Sequence, residues 1–517
     1  MITAYEDARN MDGEAVSIAE ITINYALLQG DFAMNNKPQL ITYPDSLGGS
    51  LPALAKILEG PFKGLFGGVH ILPPFPSSGD RGFAPLTYAD IEPAFGTWED
   101  IREMGKDMDI ALDMMVNHIS AQSVFFKDYL KNGKASQWAD IFLPLEKLWL
   151  DGEPDRKDMG KIFLRREEPY STFIAGGEKV RVWTTFGQEN PSEQIDLDIN
   201  SPVTKKLLEK FFIKFAENNV KMVRLDAVGY VIKKPGTSCF FVEPEIYGFM
   251  DWISGLAGQY SIALLPEVHA HYKTARKLSE MGWYTYDFIL PYRILEALLL
   301  GESEALVKHL QTSPGRQITT LDCHDGLPVK PDVDDLYDPA KAKKVTALCA
   351  ERGAEFSLIL SDEHKDEDGF DVHQICGTLY DMLCRDDDAL IAARAIQLFA
   401  PGIPQIYYVG LLAGVNDRDR FRFTGDVREL NRHNYTQAEI DMEIQRPVFK
   451  RLAELIRFRN ECPAFSGEPK ALSLEKNGLS IRWDGSGETC ELRVNLTEMV
   501  CEIQHSDAKN NKRQWTL

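Results

Sequence analysis

The residues best suited to catalysis are three carboxylates, each at the end of a short apolar segment. Asp226 ends such a segment in VRLDAVGY, Glu267 follows one in LLPEVHAHY, and Asp325 follows one in TLDCHDG. A barrel of parallel strands brings the C-terminal ends of its strands together at one face, so acids far apart in sequence can meet around one substrate bond. Carboxyl groups arranged in this way can cleave glycosidic bonds.

The neighbours of these acids make the chemical interpretation more specific. An acid at a strand end is more often a cap, a turn former or a salt-bridge partner than a catalyst. Here, however, Arg224 lies two residues before the first acid, and His324 immediately precedes the third. An earlier apolar segment ends in VNH, with Asn117 and His118. Together the four segment ends resemble the four signature regions of glycoside hydrolase family 13, the α-amylase superfamily.

The elements that must position these residues alternate between strands and helices. Segments with helical periodicity, such as VTKKLLEKFFIKFAENN and EIYGFMDWISGLAGQY, separate most of the short β-rich apolar segments. This alternation predicts an α/β fold, a (β/α)8 TIM barrel, rather than a sandwich. The predicted strands are 40–43, 68–72, 110–116, 222–225, 262–265, 284–290, 318–321 and 403–408.

Two connections are too long for simple barrel loops, which predicts additional structure over the active face. Residues 119–201 follow the third strand and are expected to form an inserted domain B, whereas the acidic, loop-rich residues 327–378 are expected to act as a lid. Weak alternation in LSIRW and CELRVNL predicts a small C-terminal β-domain. The full division is an N-terminal extension at 1–37, the barrel at 38–118 and 202–464, domain B at 119–201 and the C-terminal domain at 465–517.

Composition restricts the class of protein and of partner. The chain has 517 residues, of which 44% are hydrophobic, enough for a large buried core. Its formal net charge of −21 argues against nucleic acid or an anionic membrane as a partner. We find no apolar run of membrane-spanning length and no leader pattern, and therefore expect a cytoplasmic protein, either a monomer or a homodimer. Met1 and Met34 both remain candidates for the natural start.

The eight cysteines predict neither a metal site nor a disulfide framework. They are scattered, without a C-x-x-C pair or other metal-ligand spacing, which is typical of reduced and mostly buried side chains. The ligand spacing of a calcium loop is absent as well. We therefore expect no metal ion and no organic cofactor.

Further motifs narrow the resemblance within the superfamily. RLDAVGYVIKKPGTSCFFVEPE, YYVGLLAGVND and ELNRHNY are similar to the sucrose phosphorylase branch, and the similarity extends from about residue 38 to residue 465. It implies a retaining enzyme that uses inorganic phosphate as the acceptor. Asp226 would be the nucleophile, Glu267 the general acid and base, and Asp325 the stabiliser of the transition state. Retention agrees with this assignment, because it requires one ionised and one protonated carboxyl group only ~5 Å apart.

The same resemblance implies a set of residues that bind the substrates. They are Asp80, Phe83, His118, Phe186, Arg224, Tyr230, His269, His324, Asp371, Gln374 and Arg428. Within this set, the residues implied to bind the attacking phosphate are His269, Tyr230, Gln374 and Arg428. For Asp80 and Arg428, a loop salt bridge without a role in binding is the alternative interpretation.

The leaving-group side departs from the plain sucrose phosphorylase pattern. In that pattern, four consecutive residues are an aspartate, an apolar residue, a tyrosine and a glutamine. In residues 371–374 of this chain, the third of these is a histidine, His373. Arg165 and Arg166, in IFLRREEPYSTF, stand where a proline is usual. An arginine fork suits a phosphate group, and a histidine can donate from either nitrogen. The alternatives are a solvated surface arginine for Arg165 and a packed loop histidine for His373.

These departures, together with KLWLDGEP and TFGQENPSEQIDLD, resemble the members of the branch that act on sucrose 6'-phosphate. The reaction implied is the phosphorolysis of sucrose 6'-phosphate to α-D-glucose 1-phosphate and D-fructose 6-phosphate through a glucosyl-enzyme. A plain sucrose phosphorylase and a glucosylglycerol phosphorylase are the alternatives within the enzyme class. A catalytically silent amylase-like binding subunit is the alternative from another class, but such a relative would be expected to lack one of the three acids.

Overall fold

Parallel strands form the predicted barrel, eight of them in the described part of the chain. The computed structural model describes residues 34–149, 151–314, 316–333, 336–360, 370–474, 477–509 and 511–517. The strands are arranged around the barrel in chain order, and the eighth strand pairs with the first. The fifth and sixth strands are in contact but are not joined by a continuous ladder of hydrogen bonds. The barrel strands are Gln39–Thr42, Gly68–Ile71, Asp109–Met115, Val220–Asp226, Ala263–Pro266, Thr285–Asp287, Gln317–Thr319 and Ile403–Tyr407.

The predicted strands agree with the observed ones in number and order, but the sixth is shorter than predicted. The prediction ran from 284 to 290, whereas the observed strand ends at Asp287. The Asp287 carboxylate accepts hydrogen bonds from the backbone N–H groups of Ile289 and Leu290, at 3.2 and 3.0 Å. This turn starts the helix Leu290–Leu300 directly after the strand. An apolar run that spans a strand, a turn and a buried helix cannot be divided by hydropathy alone.

Helices cover the outside of the barrel and connect its strands. Among the described residues, no helix is long and apolar enough to span a membrane. The helices are Leu51–Glu59, Trp98–Met104, Val124–Asn132, Leu145–Leu148, Arg156–Lys161, Pro202–Ala216, Glu245–Gln259, Tyr272–Glu280, Leu290–Leu300, Glu304–Thr312, Pro339–Glu351, Leu379–Met382, Asp387–Phe399, Tyr408–Leu411, Arg418–Thr424, Gln437–Glu443 and Pro447–Glu461.

The start of the described chain packs against the barrel. Most of the predicted N-terminal extension, residues 1–33, lies outside the described residues. Met34 is buried, and its N–H donates to the hydroxyl of Tyr284 at 3.2 Å. The Asn35 side chain donates to the carbonyl of Gly67 at 2.7 Å. These contacts lead the chain into the first barrel strand.

The segment between the third and fourth barrel strands lies over the active face and contains two small antiparallel sheets. His118–Ser120 pairs with Gln194–Asp196, and Tyr170–Ala175 pairs with Glu178–Trp183. The segment has a small apolar cluster of its own, in which the rings of Trp149 and Trp183 stack at 5.4 Å. We propose that residues 119–201 act as one inserted domain.

The segment after the seventh strand is more regular than predicted. Residues 327–378 were expected to be loop-rich, but their described part contains the helix Pro339–Glu351 and a three-stranded antiparallel sheet. The helix is capped by Asp338 and buries Ala342, Val345 and Cys349 along one face. Residues 361–369, the acidic centre of the expected lid, lie outside the described residues. The sheet strands, in spatial order, are Leu327–Pro328, Val372–Cys376 and Glu355–Leu358.

The predicted C-terminal β-domain is present as an antiparallel sheet. The described strands follow each other as a meander after the last barrel helix. Trp483 fixes the sheet to the barrel, because its indole N–H donates to the carbonyl of Phe399 at 2.7 Å. The strands are Glu468–Leu474, Gly478–Gly485, Glu488–Asn495, Val500–Ser506 and Lys512–Thr516.

Candidate active site

The three predicted acids meet around one cavity at the C-terminal face of the barrel. The cavity has a volume of about 620 Å³. Asp226 ends the fourth strand, Glu267 directly follows the fifth, and Asp325 lies six residues beyond the seventh. The predicted site residues that line the cavity are Asp80, Phe83, His118, Arg165, Phe186, Asp226, Tyr230, Glu267, His269, His324, Asp325, His373, Gln374 and Arg428.

Three predicted residues do not line this cavity. Arg224 lies beneath it and contacts Asp226 and Glu267. Arg166 supports the adjoining loop, because its guanidinium donates to the carbonyls of Phe186 at 3.2 Å and Glu189 at 2.9 Å. Asp371 borders a separate groove beside the helix Pro339–Glu351. The prediction that Asp371 binds substrate is therefore not supported by its position.

Arg224 joins the two carboxylates that the sequence assigned to bond cleavage. Its Nη1 lies 3.0 Å from Oδ1 of Asp226, and its Nη2 lies 2.6 Å from Oε1 of Glu267. The guanidinium is almost fully buried and also binds the Asp113 carboxylate. A planar fork of donors can hold several carboxylates at fixed positions, which a lysine ammonium cannot do. Burial lowers the pKa of Arg224, but the carboxylates outweigh it and raise that pKa well above its ordinary value.

A polar chain inside the barrel supports Arg224 from below. Asp113 lies in the middle of the third strand and accepts a 2.7 Å hydrogen bond from Nε2 of His70. Gln405, on the eighth strand, approaches the other ring nitrogen of His70 at 3.4 Å. These residues were not predicted from the sequence. The available signal was a carboxylate in the middle of the apolar run IALDMMV, which a buried strand tolerates only when the charge is paired.

Burial and charge act in opposite ways on the two acids. Burial raises the pKa of Asp226 well above the ordinary aspartate value, and the neighbouring Glu267 carboxylate raises it further. Burial also disfavours charge on Glu267, but Arg224 outweighs this effect and holds the pKa of Glu267 at about 2. These directions favour the proton on Asp226 and the negative charge on Glu267, the reverse of the distribution that attack by Asp226 requires.

The backbone after Asp226 is also adapted to the site. Ala227 has a φ of +53°, a left-handed conformation that is costly for a residue with a side chain. In this conformation its N–H donates to Oε2 of Glu267 at 3.1 Å. The turn thus links the first acid to the second.

The third acid, Asp325, is held between two arginines. Nη1 of Arg428 and Nη2 of Arg432 lie 3.6 and 3.7 Å from its Oδ1. Burial raises the pKa of Asp325, but His324 and the two arginines outweigh it and keep the pKa well below its ordinary value. Arg428 also binds Asp80 at 2.9 Å, and both residues line the cavity, so the salt bridge of the alternative interpretation is part of the cavity wall. Arg432 was not identified from the sequence, although it lies within the quoted motif ELNRHNY.

Aromatic and histidine rings form the inner wall. The ring of Phe83 stacks on His324 at 4.8 Å, and Phe186 contacts Tyr230 at 5.0 Å. Burial lowers the pKa of His324 to about 4, so this ring is neutral. Nε2 of His118 donates to the carbonyl of Phe83 at 2.9 Å and is therefore not available to a sugar hydroxyl.

His269 lies beside Glu267 as a partly buried cation. Its Nε2 is 3.6 Å from Oε1 of Glu267, and its Nδ1 is 3.2 Å from Oδ2 of Asp332. Burial opposes charge on this ring, but Asp332 and Glu267 outweigh burial and raise the pKa of His269 to about 10. The ring stacks on Phe288 at 4.1 Å, which fixes its plane. Asp332 could not be predicted from the sequence, because it precedes no apolar element and belongs to none of the recognised motifs.

Arg165 and His373 both line the cavity and contact each other. His373, however, does not offer the donor that was expected from the sequence. Nδ1 of His373 lies 2.5 Å from the carbonyl of Lys330 and must donate to it. Nε2 therefore accepts from Nη1 of Arg165 at 2.8 Å. Burial, and then the charge of Arg165, lower the pKa of His373 well below its ordinary value. In this arrangement His373 orients Arg165 and offers no N–H to the cavity.

Lys233 connects the inserted segment to the barrel below the cavity wall. Its ammonium lies 2.6 Å from Oδ2 of Asp196 and 2.5 Å from Oδ1 of Asn117, and it also donates to the carbonyl of Tyr230. Lys233 and Asp196 are almost completely buried. The three acceptors belong to the third-strand end, the inserted segment and the turn after Asp226, so one cation holds these three parts together.

Comparisons with known proteins identify the family of this chain. The model of the α-amylase catalytic domain matches residues 65–281. The sucrose 6(F)-phosphate phosphorylase of Thermoanaerobacterium thermosaccharolyticum is 56% identical, over 92% of this chain and 97% of that protein. The sucrose phosphorylase of Streptococcus mutans is 38% identical, over 91% of this chain and 98% of that protein.

The solved structures give the same result. The crystal structure of sucrose 6F-phosphate phosphorylase from Thermoanaerobacter thermosaccharolyticum has a TM-score of 0.92 and 54% identity, covering 94% of this chain and 99% of that chain. An α-amylase from H. orenii, at 16% identity and a TM-score of 0.66, shares the fold. This chain belongs to the sucrose phosphorylase branch of glycoside hydrolase family 13, the α-amylase superfamily.

Proposed function

We propose that this protein is a retaining glycoside phosphorylase that converts sucrose 6'-phosphate and inorganic phosphate to α-D-glucose 1-phosphate and D-fructose 6-phosphate. The observation that carries this choice of substrate is the Arg165 guanidinium, held on the cavity wall by His373. The 56% identity to a sucrose 6(F)-phosphate phosphorylase supports it. A plain sucrose phosphorylase, at 38% identity, is the less similar relative.

The first half of the reaction forms a glucosyl-enzyme. The Asp226 carboxylate attacks the anomeric carbon while the bond from that carbon to the bridging oxygen breaks. Glu267 gives its proton to this oxygen, and fructose 6-phosphate leaves. The single proton of the acid pair must therefore lie on Glu267 when the sugar is bound. Arg224 supports this transfer because it contacts both carboxylates and can stabilise negative charge on either one.

The second half transfers the glucosyl group to phosphate. A phosphate oxygen attacks the anomeric carbon, the ester bond to Asp226 breaks, and Glu267 accepts the proton of the phosphate. His269 is a second cation beside this event, at 3.6 Å from Oε1 of Glu267, which Arg224 contacts at 2.6 Å. Two inversions at the same carbon give retention.

Asp325 and its arginines serve the glucosyl unit. A carboxylate kept ionised by Arg428 and Arg432 can accept hydrogen bonds from sugar hydroxyls and stabilise the positive charge that develops at the ring. Phe83 and Tyr230 provide the apolar walls of the glucosyl site. Burial raises the pKa of Tyr230 to about 12, so its hydroxyl remains a donor at neutral pH.

The phosphate of the leaving group is the feature that Arg165 would recognise. A guanidinium forms charge-assisted hydrogen bonds with phosphate oxygens, and these are worth more when water is excluded. Among the described residues, His373 accepts from one donor of Arg165, and we propose that the other N–H groups of Arg165 bind the ligand. On a chain of net charge −21, a dianionic leaving group requires such a local cation.

We also propose that the protein works in the cytoplasm, where phosphorylated sugars are found. The eight cysteines, all within the described residues, are free, which agrees with a reducing compartment. The expectation of a monomer or homodimer can be checked by light scattering.

The decisive experiment compares sucrose and sucrose 6'-phosphate side by side, with and without inorganic phosphate. We expect glucose 1-phosphate to be released from sucrose 6'-phosphate only when phosphate is present, with free glucose as a minor product. Asp226→Asn is the negative control. Equal efficiency on the two sugars would favour a plain sucrose phosphorylase, and equal release of glucose without phosphate would indicate a hydrolase. No cleavage of any glucoside would favour a silent binding subunit.

A further inference from the structure

A cluster of metal-ligand side chains lies where the C-terminal sheet meets the last barrel helix. Cys462 follows the helix Pro447–Glu461, Glu488 begins the third strand of the sheet, and His505 lies on the fourth. Their ligand atoms, the Cys sulfur, a carboxylate oxygen and a ring nitrogen, all lie within 4.8 Å of one another. None of these residues lines the cavity that contains the three acids.

A second cysteine completes a set of four possible ligands. Cys490 is fully buried and lies directly opposite His505 in the antiparallel sheet, so both side chains point to the same face. Its thiol is hydrogen-bonded to the sulfur of Cys462. The set is therefore two sulfurs, one imidazole and one carboxylate, which is the donor chemistry of tetrahedral Zn²⁺ sites.

Two buried cysteines, Cys462 and Cys490, border the 2.8 Å contact between His505 and Glu488. The pair formed by His505 and Glu488, at diagonal positions on neighbouring strands, could stabilise the sheet without a metal ion. It does not explain why two adjacent thiols border the pair.

We propose that Cys462, Glu488, Cys490 and His505 form a structural Zn²⁺ site that fastens the C-terminal sheet to the barrel. Both thiols would lose their protons on binding, and His505 would bind as neutral imidazole in place of its 2.8 Å contact with Glu488. Tetrahedral bonds of ~2.0–2.3 Å place ligand atoms ~3.3–3.8 Å apart, so small side-chain rotations would close the site. Such ligands, contributed by separate elements, have no local spacing in the sequence, which explains why the sequence analysis expected no metal.

The test uses the full-length protein, reduced, freed of metal by a chelator and then titrated with Zn²⁺ or Co²⁺. We expect one Zn²⁺ per chain by elemental analysis. Co²⁺ should give the thiolate charge-transfer band and the visible absorption of a tetrahedral sulfur-ligated ion. Removal of a residue that only hydrogen-bonds a metal ligand typically weakens metal binding by roughly 10–100-fold. Cys462→Ser and His505→Asn each remove a ligand and should weaken Zn²⁺ binding by more than this. Cys384→Ser, at an exposed cysteine, is the matched control and should bind like the unmodified protein.

A second measurement distinguishes a structural site from weak surface binding. Zn²⁺ should raise the thermal midpoint of the unmodified protein and of Cys384→Ser, but not that of His505→Asn. His505 is partly exposed, so this variant is expected to fold even if Cys462→Ser does not. The proposal is overturned if the reduced protein binds no stoichiometric Zn²⁺, or if His505→Asn binds it as tightly as the control. It is also overturned if protein purified without reductant carries a Cys462–Cys490 disulfide.

Discussion

Nη1 of Arg165 donates to Nε2 of His373 at 2.8 Å, and Nδ1 of His373 donates to the carbonyl of Lys330 at 2.5 Å. The histidine is thus fixed as a neutral acceptor, and the arginine is fixed by the histidine. The two residues that depart from the plain sucrose phosphorylase pattern act as one unit, in which only Arg165 can offer a charge to the leaving group.

The first prediction concerns this unit. Arg165→Ala should reduce kcat/KM for sucrose 6'-phosphate relative to sucrose by about 10–100-fold, because a charge-assisted contact is worth ~1.5–3 kcal/mol. His373→Ala should have a smaller effect in the same direction. The double variant should resemble Arg165→Ala alone, since His373 acts through Arg165. Additive losses in the double variant would mean that His373 contacts the phosphate itself.

The same unit predicts a pH dependence. The pKa of His373 is lowered well below its ordinary value by burial and then by Arg165, so the ring stays neutral as the pH falls through the ordinary range of histidine. The preference for sucrose 6'-phosphate should therefore be constant around neutral pH and decline only in more acidic solution, where a protonated His373 would repel Arg165. Substrate ratios measured across a pH series, with the second pKa of the sugar phosphate taken into account, would check this.

The second prediction concerns the acid pair. Asp226→Asn should abolish turnover, and Glu267→Gln should reduce it by about 10²–10⁴-fold for sucrose 6'-phosphate, the range of general acid catalysis. Glu267→Gln should retain more activity on α-glucosyl fluoride, because fluoride leaves without a proton. Asp371→Asn is the matched amide control and should have little effect, since Asp371 borders a separate groove. A loss for Asp371→Asn equal to that of Glu267→Gln would contradict this placement.

The barrel and the three acids were predictable from the sequence because both depend on local patterns. Short apolar segments alternating with helical periodicity define the strands, and an acid at the end of a strand is displayed at one face of the barrel. The contact of Arg224 with Asp226 follows from the same pattern, since strand residues two apart point to the same side.

The residues that the sequence analysis missed act over long distances in the chain. Asp113 supports Arg224 from another strand, and Asp332 holds His269 from a different connection. The acceptor role of His373 depends on a backbone carbonyl, that of Lys330, which carries no signal in side-chain types. Asp371 lies just before the strand Val372–Cys376 and borders a separate groove, a position that its nearness to His373 in the sequence does not indicate.

The third prediction concerns His269. Its pKa of about 10 lies above the ordinary value because Asp332 and Glu267 outweigh burial, so the ring should be charged below that pH and lose its proton as the pH rises through it. Asp332→Asn removes the largest of these partners and should lower this pKa. We expect the KM for inorganic phosphate to rise, and the alkaline loss of activity to begin at lower pH.

The matched control for this experiment is Asp417→Asn, which breaks the 2.8 Å contact between Asp417 and Nδ1 of His433 away from the cavity wall. It should leave the KM for phosphate and the pH profile unchanged. An NMR titration of the His269 ring would report its pKa directly. If Asp332→Asn changed only the thermal stability and neither the KM nor the profile, Asp332 would have a structural role alone.

The last prediction concerns Lys233, whose ammonium is 1% exposed and binds the fully buried Asp196 at 2.6 Å. Lys233→Met should destabilise the protein by about 3–5 kcal/mol, because it leaves a buried carboxylate without its cation. Lys134→Ala, in the same inserted segment, is the control. Lys134 and Glu146 form a 3.1 Å ion pair, with their side chains 83% and 55% exposed. Loss of this exposed pair should lower the free energy of unfolding by less than about 1 kcal/mol. Urea unfolding followed by tryptophan fluorescence would compare the two variants. Lys233 also donates to the carbonyl of Tyr230. We therefore expect Lys233→Met to raise the KM for sucrose 6'-phosphate under conditions where the variant is still folded. Equal destabilisation by the two variants would show that the buried ammonium does not hold the inserted segment to the barrel.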